Sequence, residues 1–315
     1  MTEGATLRTI DGQPVLRLER RLRHSPAKVW RAVTDPAEMA HWFPATVEAE
    51  LRPGAPMRFT FPAEAVVDGS WDGEVLEVDP PRVYMFRWNA DVLRIELIPD
   101  GDGCRLVFTH TLGGGWVGRL GAGRTAAGWD QCLDELMARL NGETVEPRSD
   151  WLTPMERYIE EFGLGFGSTR PVADGWELHF ARDLVWKPPA DVWALLVEGA
   201  EPEVGGEPPT RATNEYVPAG RLTEVNRPRL LEYEWLHDGA PAGRVRWTIT
   251  SDDRLGVRAE VTQTVPTRLA DVRATAMAAW HVQLELLFAA IHGEVPCPRP
   301  KDRTEELAKQ YADRL

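Results

Sequence analysis

Few side chains in this sequence are placed to do chemistry. His281 and Glu285 stand four residues apart, a spacing that puts two zinc-type ligands on one helix face. No third ligand accompanies them, and a Trp-containing stripe runs alongside. The pair therefore reads as the polar edge of an amphipathic helix, and no metal is expected. Leu112-Gly113-Gly114-Gly115 is glycine-rich but lacks the Lys-Ser/Thr of a phosphate loop, so it reads as a hinge. HExxH, GxSxG and a dinucleotide-type GxGxxG are missing, and no cofactor is implied. Two polar residues are better placed. His110 ends the apolar face formed by Leu106 and Phe108, and Gln263 holds the same place in a second, similar stretch. A polar group aimed into an apolar cleft needs a partner, which a ligand can supply, although a strand end that is solvated or bonded to the backbone is the favoured reading for both. His41, beside Trp42 and Phe43, is expected at the surface.

Composition narrows the partners. The 315 residues hold 36 Lys plus Arg against 49 Asp plus Glu, a formal net charge of −13, and both halves are acidic. Nucleic-acid backbones and anionic membranes would repel such a chain. The apolar runs look too short for a membrane span, and no signal peptide is visible. Cys104, Cys132 and Cys297 are far apart, which excludes a disulfide framework and suits a reducing cytoplasm.

The elements that position these side chains occur twice. Trp129, Leu133, Leu136, Met137 and Leu140 are answered, without a gap, by Trp280, Leu284, Leu287, Phe288 and Ile291. Each set is the buried stripe of a long helix, closed by Gly142-Glu143 or Gly293-Glu294. Ser25-Pro-Ala-Lys-Val-Trp30 matches Pro188-Pro-Ala-Asp-Val-Trp193, and Gly73 to Arg82 matches Gly220 to Arg229. Pro147 matches Pro298, and Thr153 matches Thr304. Between these landmarks Tyr84, Phe86 and Trp88 alternate with polar or exposed positions, as do Leu231, Tyr233 and Trp235. That period of two marks half-buried antiparallel strands. Asp100-Gly-Asp-Gly103 and Ser251-Asp-Asp-Arg254 read as turns. Strands and helices are segregated, so the class is α+β. Domains are expected at 1–165 and 166–315, with a helix from a Thr153 cap and a linker at Ser168 to Pro171.

These landmarks resemble the helix-grip superfamily of START and Bet v 1-like proteins (SRPBCC), in particular its branch similar to the activator of Hsp90 ATPase. The residues that carry the likeness are Ser25 to Pro36, then His41-Trp42-Phe43, Gly73 to Arg82, and Gly128-Trp129. The resemblance implies two tandem domains, each a curved antiparallel sheet wrapped around a long C-terminal helix. The second copy departs from it between Glu198 and Pro209, where Gly and Pro replace the aromatic pair and imply a loop.

Non-catalytic binding of a hydrophobic or aromatic small molecule in the first domain is the function this implies. The expected lining is Trp42, Phe43, Tyr84, Phe86, Trp88, Leu106, Phe108, His110, Trp129 and Leu133. Trp42 and Phe43 are placed at the entrance, and His110 as the orienting hydrogen bond. One alternative is a polyketide aromatase or cyclase, with His110, Arg58, Tyr84 and Trp88 as its acid–base candidates. The other is a co-chaperone or client-binding protein; a protein partner or homodimer remains open.

Overall fold

The computed structural model describes residues 4–63, 70–144, 150–253, 255–293 and 301–315; Pro147, Arg254, Glu294, Cys297 and Pro298 lie outside them. The chain forms two compact units, Met1–Leu164 and Gly165–Leu315.

The first unit opens with β1 (Thr6–Ile10) and β2 (Gln13–Leu22). Ser25 then caps α1 (Pro26–Thr34) by accepting the Lys28 N–H at 3.4 Å, with Pro26 at the start of the helix. Asp35 caps the short α2 (Pro36–Met39) in the same way. Six strands follow: β3 (Thr46–Ala49), β4 (Pro56–Thr60), β5 (Ser70–Asp79), β6 (Val83–Trp88), β7 (Asp91–Asp100) and β8 (Gly103–Thr111). They form one antiparallel sheet of order β1-β2-β8-β7-β6-β5-β4-β3. After α3 (Trp116–Leu120) comes the grip helix α4 (Ala122–Asn141), which turns Ala126, Trp129, Leu133, Leu136 and Leu140 into the core. Gly142 ends it at φ 75°, a left-handed conformation that favours glycine. The last helix is α5 (Leu152–Glu161). Its cap differs from the expectation, because Asp150 accepts the Thr153 N–H at 3.0 Å and the helix starts before Thr153.

The second unit repeats this plan with β9 (Ser168–Val172), β10 (Gly175–Asp183), α6 (Pro189–Val197), β11 (Ala219–Asn226), β12 (Leu230–His237), β13 (Ala240–Asp252) and β14 (Gly256–Val265). The grip helix is α7 (Arg273–Ile291), followed by α8 (Lys301–Ala312). The sheet order is β11-β12-β13-β14-β10-β9, with no hairpin matching β3–β4 among the described residues. Ser168 to Pro171, expected as linker, is instead the outer strand β9, because it pairs along its length with β10.

A second difference concerns α7. Thr267–Ile291 is long and apolar enough to cross a bilayer by length and composition, contrary to the sequence expectation. Yet 61% of its most apolar window is buried inside the unit, and Ala276 to Leu284 is buried without interruption. Since α6, α8 and β10 pack against it, a single apolar stripe would not suffice.

In each unit a tyrosine of the last helix ties the first strand to the grip helix. Tyr158 Oη accepts the Ala5 N–H at 3.0 Å and bonds to Asp130, which Arg20 Nη2 reaches at 2.6 Å. Tyr311 Oη accepts the Gly167 N–H at 3.0 Å and meets His281 Nδ1 at 2.9 Å. Because Trp129 and Trp280 are large buried side chains near the middle of the two grip helices, replacing either by Ala should cost about 3–5 kcal/mol. Urea denaturation checks this, and a loss below about 1 kcal/mol would mean that the helix phase does not matter.

Candidate functional site

The structure brings nine of the ten expected lining residues into one buried cluster between α4 and the sheet, and the buried His110 reaches it through its hydrogen bond with Trp129. Phe43 is its hub, with ring centroids 5.6 Å from Trp42, 5.4 Å from Trp88, 6.2 Å from Phe86 and 5.6 Å from Trp129. Trp129 also lies 4.5 Å from Phe108. Tyr84, Leu106 and Leu133 complete the core, the Tyr84 hydroxyl against Met57 Sδ at 3.9 Å.

Two assigned roles change. Trp42 and Phe43 are 2% and 6% exposed, so they fill the cleft and do not form its mouth. Trp42 Nε1 donates to the Ala32 carbonyl at 3.0 Å, which pins the segment under α1. His110 is spent on the fold: its Nδ1 accepts the Trp129 Nε1–H at 2.8 Å, and its Nε2 faces Asp91 Oδ2 at 3.0 Å. Acceptance at Nδ1 leaves the ring proton on Nε2, the nitrogen that meets the carboxylate. Asp91 Oδ1 in turn accepts the Gly113 N–H at 2.6 Å, so the glycine-rich segment is bound to the sheet and is not a free hinge.

Trp88 is 8% exposed, and its Nε1–H is buried without a hydrogen-bond partner among the described residues. The second unit shows why. At the matching position, Trp235 Nε1 donates to the Thr264 carbonyl at 2.8 Å. Trp235 pairs across the ladder with Gly243, where an added Cβ would stand 2.6 Å from Trp235 Nε1 and 2.4 Å from Thr264 O. Trp88 pairs with Asp91, a residue with a side chain at the register position where the second unit has Gly243. Around Trp88 stand Phe59, stacked at 4.9 Å, Phe61, stacked at 5.8 Å, and Trp71 at 5.9 Å. Phe61 and Trp71 pack against the cluster and are only partly buried. Sequence reasoning missed both, although Met57 and Phe59 alternate on β4, Phe61 continues their spacing just past its end, and Phe59 pairs with Trp71.

The acid–base candidates of the cyclase reading do not converge. Arg58 is exposed on β4, between the inward Met57 and Phe59. The Cys132 thiol, pushed up to about 12 chiefly by burial, holds its proton at neutral pH. His41 is exposed, as expected.

His281 and Glu285 face each other, Nε2 to Oε1 at 3.3 Å, and Arg303 Nη2 reaches the same carboxylate oxygen at 3.0 Å. Burial pushes the Glu285 carboxyl up, but hydrogen bonds from His281 and Arg303 outweigh it and bring the pKa down from 4.5 to about 2. A depressed carboxylate contributes stability that is present above pH 4.5 and lost as the pH falls from there towards 2. Glu285→Gln should therefore flatten the acid limb of stability in that interval, read from urea midpoints at successive pH values. An unchanged acid limb would show that the triad carries no such linkage.

With this geometry in place, comparison supplies the class. The fold is a tandem helix-grip fold. Residues 23–141 match the family described as Activator of Hsp90 ATPase homolog 1-like protein. Among solved structures, a conserved protein of unknown function from Enterococcus faecalis is 20% identical, with TM-score 0.44, covering 50% of this chain and 90% of its own. The protein CalU16 from Micromonospora echinospora is 23% identical, with TM-score 0.40, covering 51% and 96% respectively. A protein from Bordetella parapertussis is 23% identical, with TM-score 0.39, covering 51% and 90%. No curated protein matches the sequence.

Proposed function

We propose that the first unit binds a planar, largely apolar small molecule that carries one hydrogen-bond acceptor, at the Phe61–Trp71–Trp88 side of its aromatic cluster. The observation that carries this reading is the Trp88 Nε1–H, buried among rings and without a partner. Leaving such a donor unpaired costs about 1–3 kcal/mol, which a ligand carbonyl or hydroxyl would offset. Stacking on Phe61, Trp71 and Trp88 would supply the apolar contact. The partly buried Phe61 and Trp71 are the side chains that move aside, whereas Phe43, Phe86 and Phe108 stay as the floor. This is binding without catalysis: the reading assigns no residue an acid–base role, and it fits a cytoplasmic protein of this acidity.

A matched pair of probes tests it. Naphthalene and 2-acetonaphthone present the same ring system, without and with a carbonyl acceptor. The ketone should bind roughly 5- to 10-fold more tightly and raise the melting temperature further. Trp88→Phe should abolish that preference while leaving the apolar affinity. If neither probe shifts the melting temperature, the binding reading is wrong. If the preference survives in Trp88→Phe, the polar contact lies elsewhere.

A further inference from the structure

We infer that the cleft of the second unit is a carbonyl-recognition site which the chain itself occupies with residues 210–212. This goes beyond the reading of the first unit and does not depend on it. The segment between α6 and β11 dips inward as a single 3-10 turn, Thr210–Ala212, and Ala212 is fully buried. Its carbonyl oxygen accepts two buried donors, Tyr233 Oη at 2.8 Å from β12 and Trp247 Nε1 at 2.9 Å from β13. The preceding carbonyl, of Arg211, accepts Gln283 Nε2 at 2.6 Å from α7. Three side chains from two floor strands and the grip helix thus converge on two consecutive carbonyls.

Filling a cleft does not by itself require this polarity. Strand register and helix phase put Phe86, Ile95 and Cys132 of the first unit where the second has Tyr233, Trp247 and Gln283. There Phe43 packs on Phe86, ring centroids 6.2 Å apart. A second observation points to a ligand. Gln263, 1% exposed, accepts the Trp280 Nε1–H at 2.7 Å through Oε1, while its Nε2 is buried without a partner. Trp280 lies edge-on to Trp247 at 5.9 Å, so this spare donor belongs to the same cluster. Donors placed for two acceptors, with another in reserve, suit a small planar amide or ketone with more than one acceptor oxygen. Such a ligand would displace the segment, which outside the cleft is tied by Arg211 Nη2 to Glu198 at 2.8 Å and by Leu222 to Gly205 and Gly206.

The test separates a self-occupied site from ordinary packing. In the full chain, Tyr233→Phe combined with Gln283→Leu should release the segment locally. Trypsin cleavage after Arg211 should then speed up roughly 10- to 100-fold while the melting temperature stays within a few degrees. A full chain lacking residues 207–213 should in addition bind a peptide copying residues 209–213, read by tryptophan fluorescence, and Tyr233→Phe in that background should weaken binding roughly 10-fold. Cooperative unfolding of the whole unit in the double variant, with cutting throughout, would overturn the inference. So would a folded deletion variant that shows no saturable binding of the peptide. Should the deletion variant not fold, the trypsin experiment alone decides.

Discussion

Everything in the two units hangs on one bond between the grip helix and the sheet. A tryptophan at the head of the buried helix stripe carries an N–H that no apolar neighbour can satisfy. A polar side chain placed on the facing strand removes that cost. His110 does this for Trp129, and Gln263 does it for Trp280, at 2.8 and 2.7 Å. The bond sets the rotation of the helix about its axis, and so decides which side chains enter the core. In the first unit it extends through Asp91 to Gly113, coupling helix, sheet and the glycine-rich turn.

The tyrosines of the last helices add a second shared constraint, met with different chemistry. One hydroxyl closes on a carboxylate held by arginines, the other on an imidazole backed by Glu285 and Arg303. Both hold the backbone N–H of the incoming chain, so each unit is closed where its first strand begins. The same geometry with swapped ionisable groups makes only the second unit sensitive to the Glu285 linkage.

What differs between the units is how the space under the grip helix is filled. The first uses the aromatic segment at Trp42 and Phe43, and is left with the Trp88 donor unsatisfied near partly buried rings. The second uses its own backbone and surrounds it with donors. The proposed roles follow from that contrast: a ligand site on one side, a self-occupied one on the other. One register position separates the two tryptophans: Trp235 faces Gly243, which has no room for a Cβ, and Trp88 faces Asp91.

The repeat, the α+β order, the helix stripes and the turn at Gly142 were determined by the sequence alone, because periodicity and left-handed glycine positions are local properties of a chain. The cluster around Tyr84, Phe86, Trp88 and Phe108 was legible for the same reason: period two states which residues share a face. Period does not state depth, so Trp42 and Phe43 read as a mouth although they form the centre. Nor does it state pairing. Whether Ser168 to Pro171 is a linker or the strand β9 depends on β10 lying beside it. The same holds for α7, whose uninterrupted burial from Ala276 to Leu284 only makes sense once neighbours surround it on several sides. Which indole keeps a free N–H is more remote still. It depends on whether the residue across the ladder has a side chain, and that is settled only when strands far apart in sequence come into register.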